Sequence, residues 1–142
     1  MTNLTLATAN ALVAGVLAEG AKARLQPLTV AVLDAGGHLL SFQRQDGGAN
    51  LRPQIAIGKA SGALGMGVSS RKLGEMAAER PTFVTSLATL GGGGLVPAAG
   101  GVLLLDDEGR VAGALGVSGD SSDNDEKCAL GAAAKVGVAV RT

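Results

Sequence analysis

The sequence predicts an α+β domain in which helices flank an antiparallel sheet. Apolar residues recur at helical spacing near both ends of the chain, and β-rich runs meet in pairs across the tight turns Asp34–Gly37 and Asp106–Gly109. Connections that short cannot form a parallel crossover, so the strands they join are expected to run antiparallel. At 142 residues the chain has room for one core, and a single domain over 1–142 is expected.

The elements follow in order. Leu6, Leu12, Val13, Val16, Leu17 and Leu25 give a first helix over about Thr5–Arg24, ended by Gln26-Pro27. The β-branched run Leu28–Leu33 reads as a buried strand, and Asp34-Ala35-Gly36-Gly37 turns the chain into a second strand over His38–Arg44. After the polar loop Gln45–Asn50, Pro53 fits the first turn of a helix over Arg52–Leu64, where its missing N–H is no loss. Ser69 or Ser70 caps a shorter helix ending near Glu79, before Pro81, and Thr82–Leu90 adds a further helical turn or two. Gly91–Gly94 leads into Leu95-Val96-Pro97, expected as a short edge strand because proline cannot donate a ladder hydrogen bond. Gly101–Leu105 and Arg110–Val117 flank the hairpin loop Asp106–Gly109. A last helix is expected from near Asp123 to about Val140, with Asp123 and Glu126 at capping-box spacing. The order is thus helix, two strands, helices, three strands, helix.

Composition narrows the function. Twelve basic and twelve acidic residues cancel and are scattered, which argues against an electrostatic grip on nucleic acid or on anionic lipid. With two phenylalanines as the only aromatics, base-stacking platforms are nearly excluded. The N-terminal apolar stretch has no basic start and carries Glu19 and Lys22 too early for a membrane span. The lone Cys128 cannot form an internal disulfide, which fits a reducing, cytoplasmic setting. The apolar balance, with modest charge, suggests that some surface is covered in a homo-oligomer.

Several residues carry candidate chemistry. Lys59 lies among Ile55, Ala56, Ile57, Gly58, Ala60, Ser61 and Gly62, so if buried it needs a partner, with Asp46, Asp120 and Glu126 as candidates. A solvated helix face is the other reading. Arg44 and Arg52 bracket a loop and can clamp a carboxylate with their planar forks, or form ordinary surface ion pairs. Asp120, Asp123, Asp125 and Glu126 suit a hard cation by chemistry but lack the spacing of a calcium loop, and helix capping explains Asp123 and Glu126 equally well. Cys128 sits where a helix dipole favours a thiolate, although a small buried cysteine fits better. Gly91–Gly94 lacks the lysine and hydroxyl residue of a phosphate loop. One histidine and several loop serines define no catalytic triad.

Val30–Gly47 (VAVLDAGGHLLSFQRQDG), Ile55–Ala63 (IAIGKASGA), the double glycine Gly100-Gly101 and Gly113–Ala132 (GALGVSGDSSDNDEKCALGA) resemble, in the same order, the GlcG/HbpS-like family of small haem-binding proteins. The same fold is found as the C-terminal domain of PduO-type cobalamin adenosyltransferases. The resemblance implies a five-stranded antiparallel sheet flanked by helices, assembly into dimers up to octamers, and haem or a related tetrapyrrole as ligand. One departure affects the expected pocket edge at Gly101: in the family the double glycine is followed closely by proline, whereas here Val102 follows and Pro97 precedes.

Within that resemblance His38, set after Asp34 and Gly37, is the natural candidate for the haem iron, the alternative being a solvent-facing turn histidine. No Cys-x-x-Cys-His motif is present for covalent attachment, and Cys128, Met66 and Met76 are the other side chains able in principle to reach iron. Lys59 can hold a propionate. The expected ligand-binding set is His38, Arg44, Arg52, Lys59, Gly101, Asp120 and Glu126. The rival reading is a catabolic enzyme or accessory protein for a small carboxylated or hydroxylated metabolite, in which Arg44, Arg52 and Lys59 bind charge and Asp46, Asp120 or Glu126 moves a proton.

Overall fold

A computed structural model describes residues 3–142. Its elements in chain order are α1 (Leu6–Lys22), β1 (Thr29–Asp34), β2 (Leu39–Arg44), α2 (Arg52–Met66), α3 (Ser70–Glu79), α4 (Pro81–Leu87), β3 (Gly101–Leu105), β4 (Val111–Ser118), α5 (Ser122–Val136) and β5 (Ala139–Arg141). The five strands form one antiparallel sheet in the order β2-β1-β4-β3-β5. Helices lie on both faces, α1 and α5 on one and α2 on the other.

Alternation along the central strands sorts the core into two layers. Val30, Val32, Leu115 and Val117 face α1 and α5, whose Leu12, Val16 and Ala129 complete the larger core. Leu33, Leu103 and Ala114 face α2, where the buried Ala60 and Ala63 and the partly buried Leu64 meet them. Small residues at this second interface let α2 sit close on the sheet. On the other side α1 and α5 also cross closely, a Cβ on Gly15 falling 3.0 Å from the Cβ of Ala132.

Two expectations about strands are corrected. Leu95-Val96-Pro97 is not an edge strand but lies along α2, with the Val96 N–H donating to the Gly58 carbonyl at 3.2 Å. The reason is the glycine face of the helix: a Cβ on Gly58 would come within 2.7 Å of Val96, and one on Gly62 within 2.9 Å of Leu95. The last helix ends at Val136, not Val140, because Gly137 adopts the left-handed conformation (φ 87°) that terminates it. The released residues form the fifth strand, with Leu103↔Arg141 and Leu105↔Ala139 in register on β3. The order is therefore helix, two strands, helices, two strands, helix, strand. No helix among the described residues is long and apolar enough to cross a membrane.

Candidate functional site

The candidate residues gather at two ends of the sheet. At one, β1 enters beside the exit of β4, and the N-terminus of α2 crosses above them. At the other, the β1–β2 turn faces the C-terminal half of α2.

The first end is built on a buried charge pair. Lys59 and Asp125 are 3% and 1% exposed, with Lys59 Nζ 3.2 Å from Asp125 Oδ2. The ammonium also donates to the Val117 carbonyl at 2.9 Å, while Asp125 accepts from the backbone N–H groups of Gly119 and Asp120. The partner is thus Asp125, not Asp46, Asp120 or Glu126. Burial pushes the Lys59 pKa below the ordinary lysine value, opposed by Asp125 and reinforced by the neighbouring Arg52 charge. Gly101 belongs to the same packing, since a Cβ there would lie 2.5 Å from the Lys59 carbonyl oxygen. Its N–H donates to Ser70 Oγ at 2.7 Å.

The acidic run after β4 is a helix entrance tied to its neighbours. Ser121 caps α5, accepting from the Asn124 N–H, so Asp123 and Glu126 do not form the capping box. Instead both carboxylates accept from Arg71 of α3, Glu126 from Nε at 3.0 Å and Asp123 from Nη2, and the hydrogen bond to Asp123 leads in raising the arginine's pKa. Asp120 accepts from the Asn124 side chain and the Gln26 N–H, which hold its carboxyl below the usual range. These carboxylates are occupied one by one, and no cluster of three metal-ligating side chains occurs among the described residues. Cys128 is buried, and burial pushes its thiol pKa up, against the direction in which a helix dipole would move it. Arg71 and Asp125 escaped the sequence reading as pairing residues. Their partners lie 55 and 66 positions away, with no local signal.

Arg52, half-buried at the start of α2, donates through Nη1 to Ser118 Oγ at 2.9 Å and borders a cavity of about 270 Å³ with Gly47, Gly48 and Gly119. Arg44 ends β2 and lines an adjoining depression with Asp46, Gln45 and Leu25. His38 is not among these groups. It lies beyond the other end of β1, roughly 17–20 Å away along the strand direction.

There His38 is 82% exposed, with Nδ1 3.3 Å from Asp34 Oδ1. The same carboxylate oxygen accepts the backbone N–H groups of Gly36 and His38, and the His38 N–H leads in holding Asp34 below its ordinary pKa. The turn borders a cleft of about 440 Å³ whose far wall is Ser61, Leu64 and Gly65 of α2 with Gly92 and Gly93. A second cavity of about 290 Å³, lined by Met66, Leu87, Leu90 and Leu95, adjoins it across Ser61 and Gly65. Met76, on α3, does not line either.

The family model for haem degrading proteins of the HbpS-like type matches residues 4–134. The chain belongs to the HbpS-like family. Similar solved structures include HbpS itself, at 29% identity and TM-score 0.79 over 95% of this chain and 91% of that one. The Klebsiella pneumoniae protein ORFY matches at 25% identity and TM-score 0.83, over 96% of this chain and 92% of that one. A PduOC–haem complex shares the fold at TM-score 0.87 and 23% identity, over 99% and 100% of the two chains. No curated protein gives a significant match.

Proposed function

We propose that this HbpS-like chain binds haem or a related tetrapyrrole in the cleft beside His38, with His38 Nε2 as the iron ligand. The observation that carries the reading is the imidazole at the rim of a cleft walled by glycine and leucine, with Nδ1 turned toward Asp34. A carboxylate at Nδ1 fixes the proton there and leaves Nε2 as a lone-pair donor, the arrangement that metal-ligating histidines generally have. The glycines of the 92–93 loop, with Gly65 and Leu64 of α2, leave an approach free of bulky side chains, of the kind a macrocycle needs. The family match and the fold shared with a haem complex support the same ligand. When bound, iron would supply ligand exchange and one-electron chemistry. The chain's own part is to orient the imidazole, hold its proton on the Asp34 side and shield one face of the ligand from water.

Titration of the protein with haemin should give a saturable Soret shift. His38→Ala should abolish the shift or change its position, and added imidazole should restore it. An unaltered spectrum and affinity in His38→Ala would remove the histidine as ligand, and no saturable shift in the unaltered protein would remove haem.

The protein is further proposed to act as a cytoplasmic homo-oligomer, supported by the exposed leucines Leu6, Leu39, Leu51 and Leu90. Native electrophoresis of the cytoplasmic fraction should show a species larger than one chain. A monomer, or absence from that fraction, contradicts the corresponding half of the proposal.

A further inference from the structure

We propose that the end of the domain opposite His38 carries a second, independent site: a subsite for a small carboxylate, gripped by Arg52 and Arg44 over the Gly47-Gly48 loop.

Thr29 is paired with Arg44 on one side and Ser118 on the other. Directly paired residues project from the same face, so Arg44, Thr29 and Ser118 form a row across three strands. That face is the one α2 covers, as Arg52 shows by bonding Ser118 Oγ. Arg44 reaches the same loop from the other side, its Cγ lying 3.0 Å from where a Cβ on Gly48 would stand. Glycine at position 48 therefore gives the arginine stem room to lie across the loop that lines the Arg52 cavity.

The charge balance favours an anion there. Lys59 has Asp125, Arg71 has Glu126 and Asp123, and Arg110 has Asp106 and Glu108. Among the described residues no carboxylate forms an ion pair with Arg52 or Arg44. Arg52 is half-buried, its one side-chain partner is a neutral hydroxyl, and its charge adds to that of Lys59. The buried carboxylate at this end of the sheet, Asp125, pairs with Lys59, which leaves the Arg52 charge without a counter-ion among the described residues.

A separate observation falls on the same row. Thr29 Oγ1 is buried and has no hydrogen-bond partner among the described residues. An orphaned buried hydroxyl calls for an explanation such as a bound ion or solvent. This one stands between Arg44 and Ser118.

The chemistry points to a carboxylate. A guanidinium offers two parallel N–H donors that match a carboxylate edge. Asp46 lines the adjoining depression with Arg44, and its charge would work against a dianion such as phosphate more than against a monocarboxylate. A cavity of about 270 Å³ suits a ligand of few heavy atoms.

The test uses the full chain labelled with nitrogen-15 and titrated with sodium acetate, sodium phosphate or sodium chloride at constant ionic strength. Acetate should produce saturable shifts of the Gly47, Gly48 and Gly119 amides while those of His38 and Gly92 stay in place. Arg44→Gln, an exposed change, should weaken acetate binding at least about tenfold, the loss expected for a charge-assisted hydrogen bond. Arg52→Gln should abolish the shifts while preserving the dispersed spectrum of the fold. If Arg52→Gln fails to fold, Arg44→Gln decides alone. Identical, non-saturating responses to all three salts, or unchanged acetate affinity in Arg44→Gln, overturn the site. Tighter binding of phosphate than acetate overturns the carboxylate assignment. Haemin binding is read separately at the Soret band, so either site can fail without the other.

Discussion

Lys59→Met should lower the unfolding free energy by about 3–5 kcal/mol, the usual cost of removing one partner of a buried ion pair. The methylene stem is replaced almost isosterically, so little of that loss is packing. What remains is Asp125, 1% exposed, with its ammonium gone. The Gly119 and Asp120 N–H groups still reach the carboxylate, and the Val117 carbonyl loses a donor it cannot replace from water. In a domain of this size the change corresponds to a melting temperature lower by roughly 10 °C or more. Urea denaturation should show the midpoint falling with little change of slope. Adding Asp125→Asn removes the stranded carboxylate, so the double variant should lose less than the two single losses added together. A loss below about 1 kcal/mol for Lys59→Met, or strict additivity in the cycle, would show that the pair does not hold α2, β4 and α5 together.

That pair also marks the limit of what the sequence discloses. A lysine flanked by small and apolar residues was legible as a charge that would need a partner if buried, with a solvated helix face reading equally well. The partner's identity was not. Asp125 lies 66 residues away, and only closure of the sheet brings the α5 entrance under α2. The hairpins Asp34–Gly37 and Asp106–Gly109 were legible because turn chemistry acts within four residues, and each acidic first residue does bond the backbone of its own turn. The edge strand at Leu95-Val96-Pro97 was misplaced for the opposite reason. Its β-prone residues pack on a glycine stripe of α2, a tertiary choice that propensity does not encode. For β5 a signal was present: Gly137 is a left-handed helix stop, followed by Val138 and Val140 in alternation. It was masked by an alanine-rich run that reads as helix throughout.

The candidate ligand residues divide in the same way. The turn chemistry around His38 was local and visible, whereas its separation from Arg44, Arg52 and Lys59 within one protomer was not. Strand length separates them, and length in a strand becomes distance directly. Arg44 and Arg52 lie close in sequence and border the same loop from adjoining depressions. Asp120 and Glu126 are acidic neighbours in sequence yet are satisfied by different elements, Asn124 with the Gln26 backbone and Arg71 respectively.

Gly116→Ala should also destabilise the fold, by about 3 kcal/mol, at the upper end of overpacking costs. Gly116 and its cross-strand partner Gly101 form a trough in the sheet in which the backbone of α2 lies. A Cβ on Gly116 would stand 2.0 Å from the Ala56 carbonyl oxygen and 3.1 Å from the Ala60 Cβ. Both obstacles belong to α2 itself, so no side-chain rotation can relieve them and the helix must move. The sign of the effect is the test, because a glycine in a strand with space above it gains about 0.5–1 kcal/mol on replacement by alanine. A stabilised Gly116→Ala protein would mean that α2 does not ride on the sheet at this depth. The same displacement should reach the pairs hung from α2, since Arg52 and Lys59 contact Ser118 and Val117, the two residues that follow Gly116 on β4. Gly116→Ala is therefore expected to perturb the amides of Gly119 and Asp120 as well as stability, whereas the turn around His38, at the opposite end of β1, should keep its native chemical shifts.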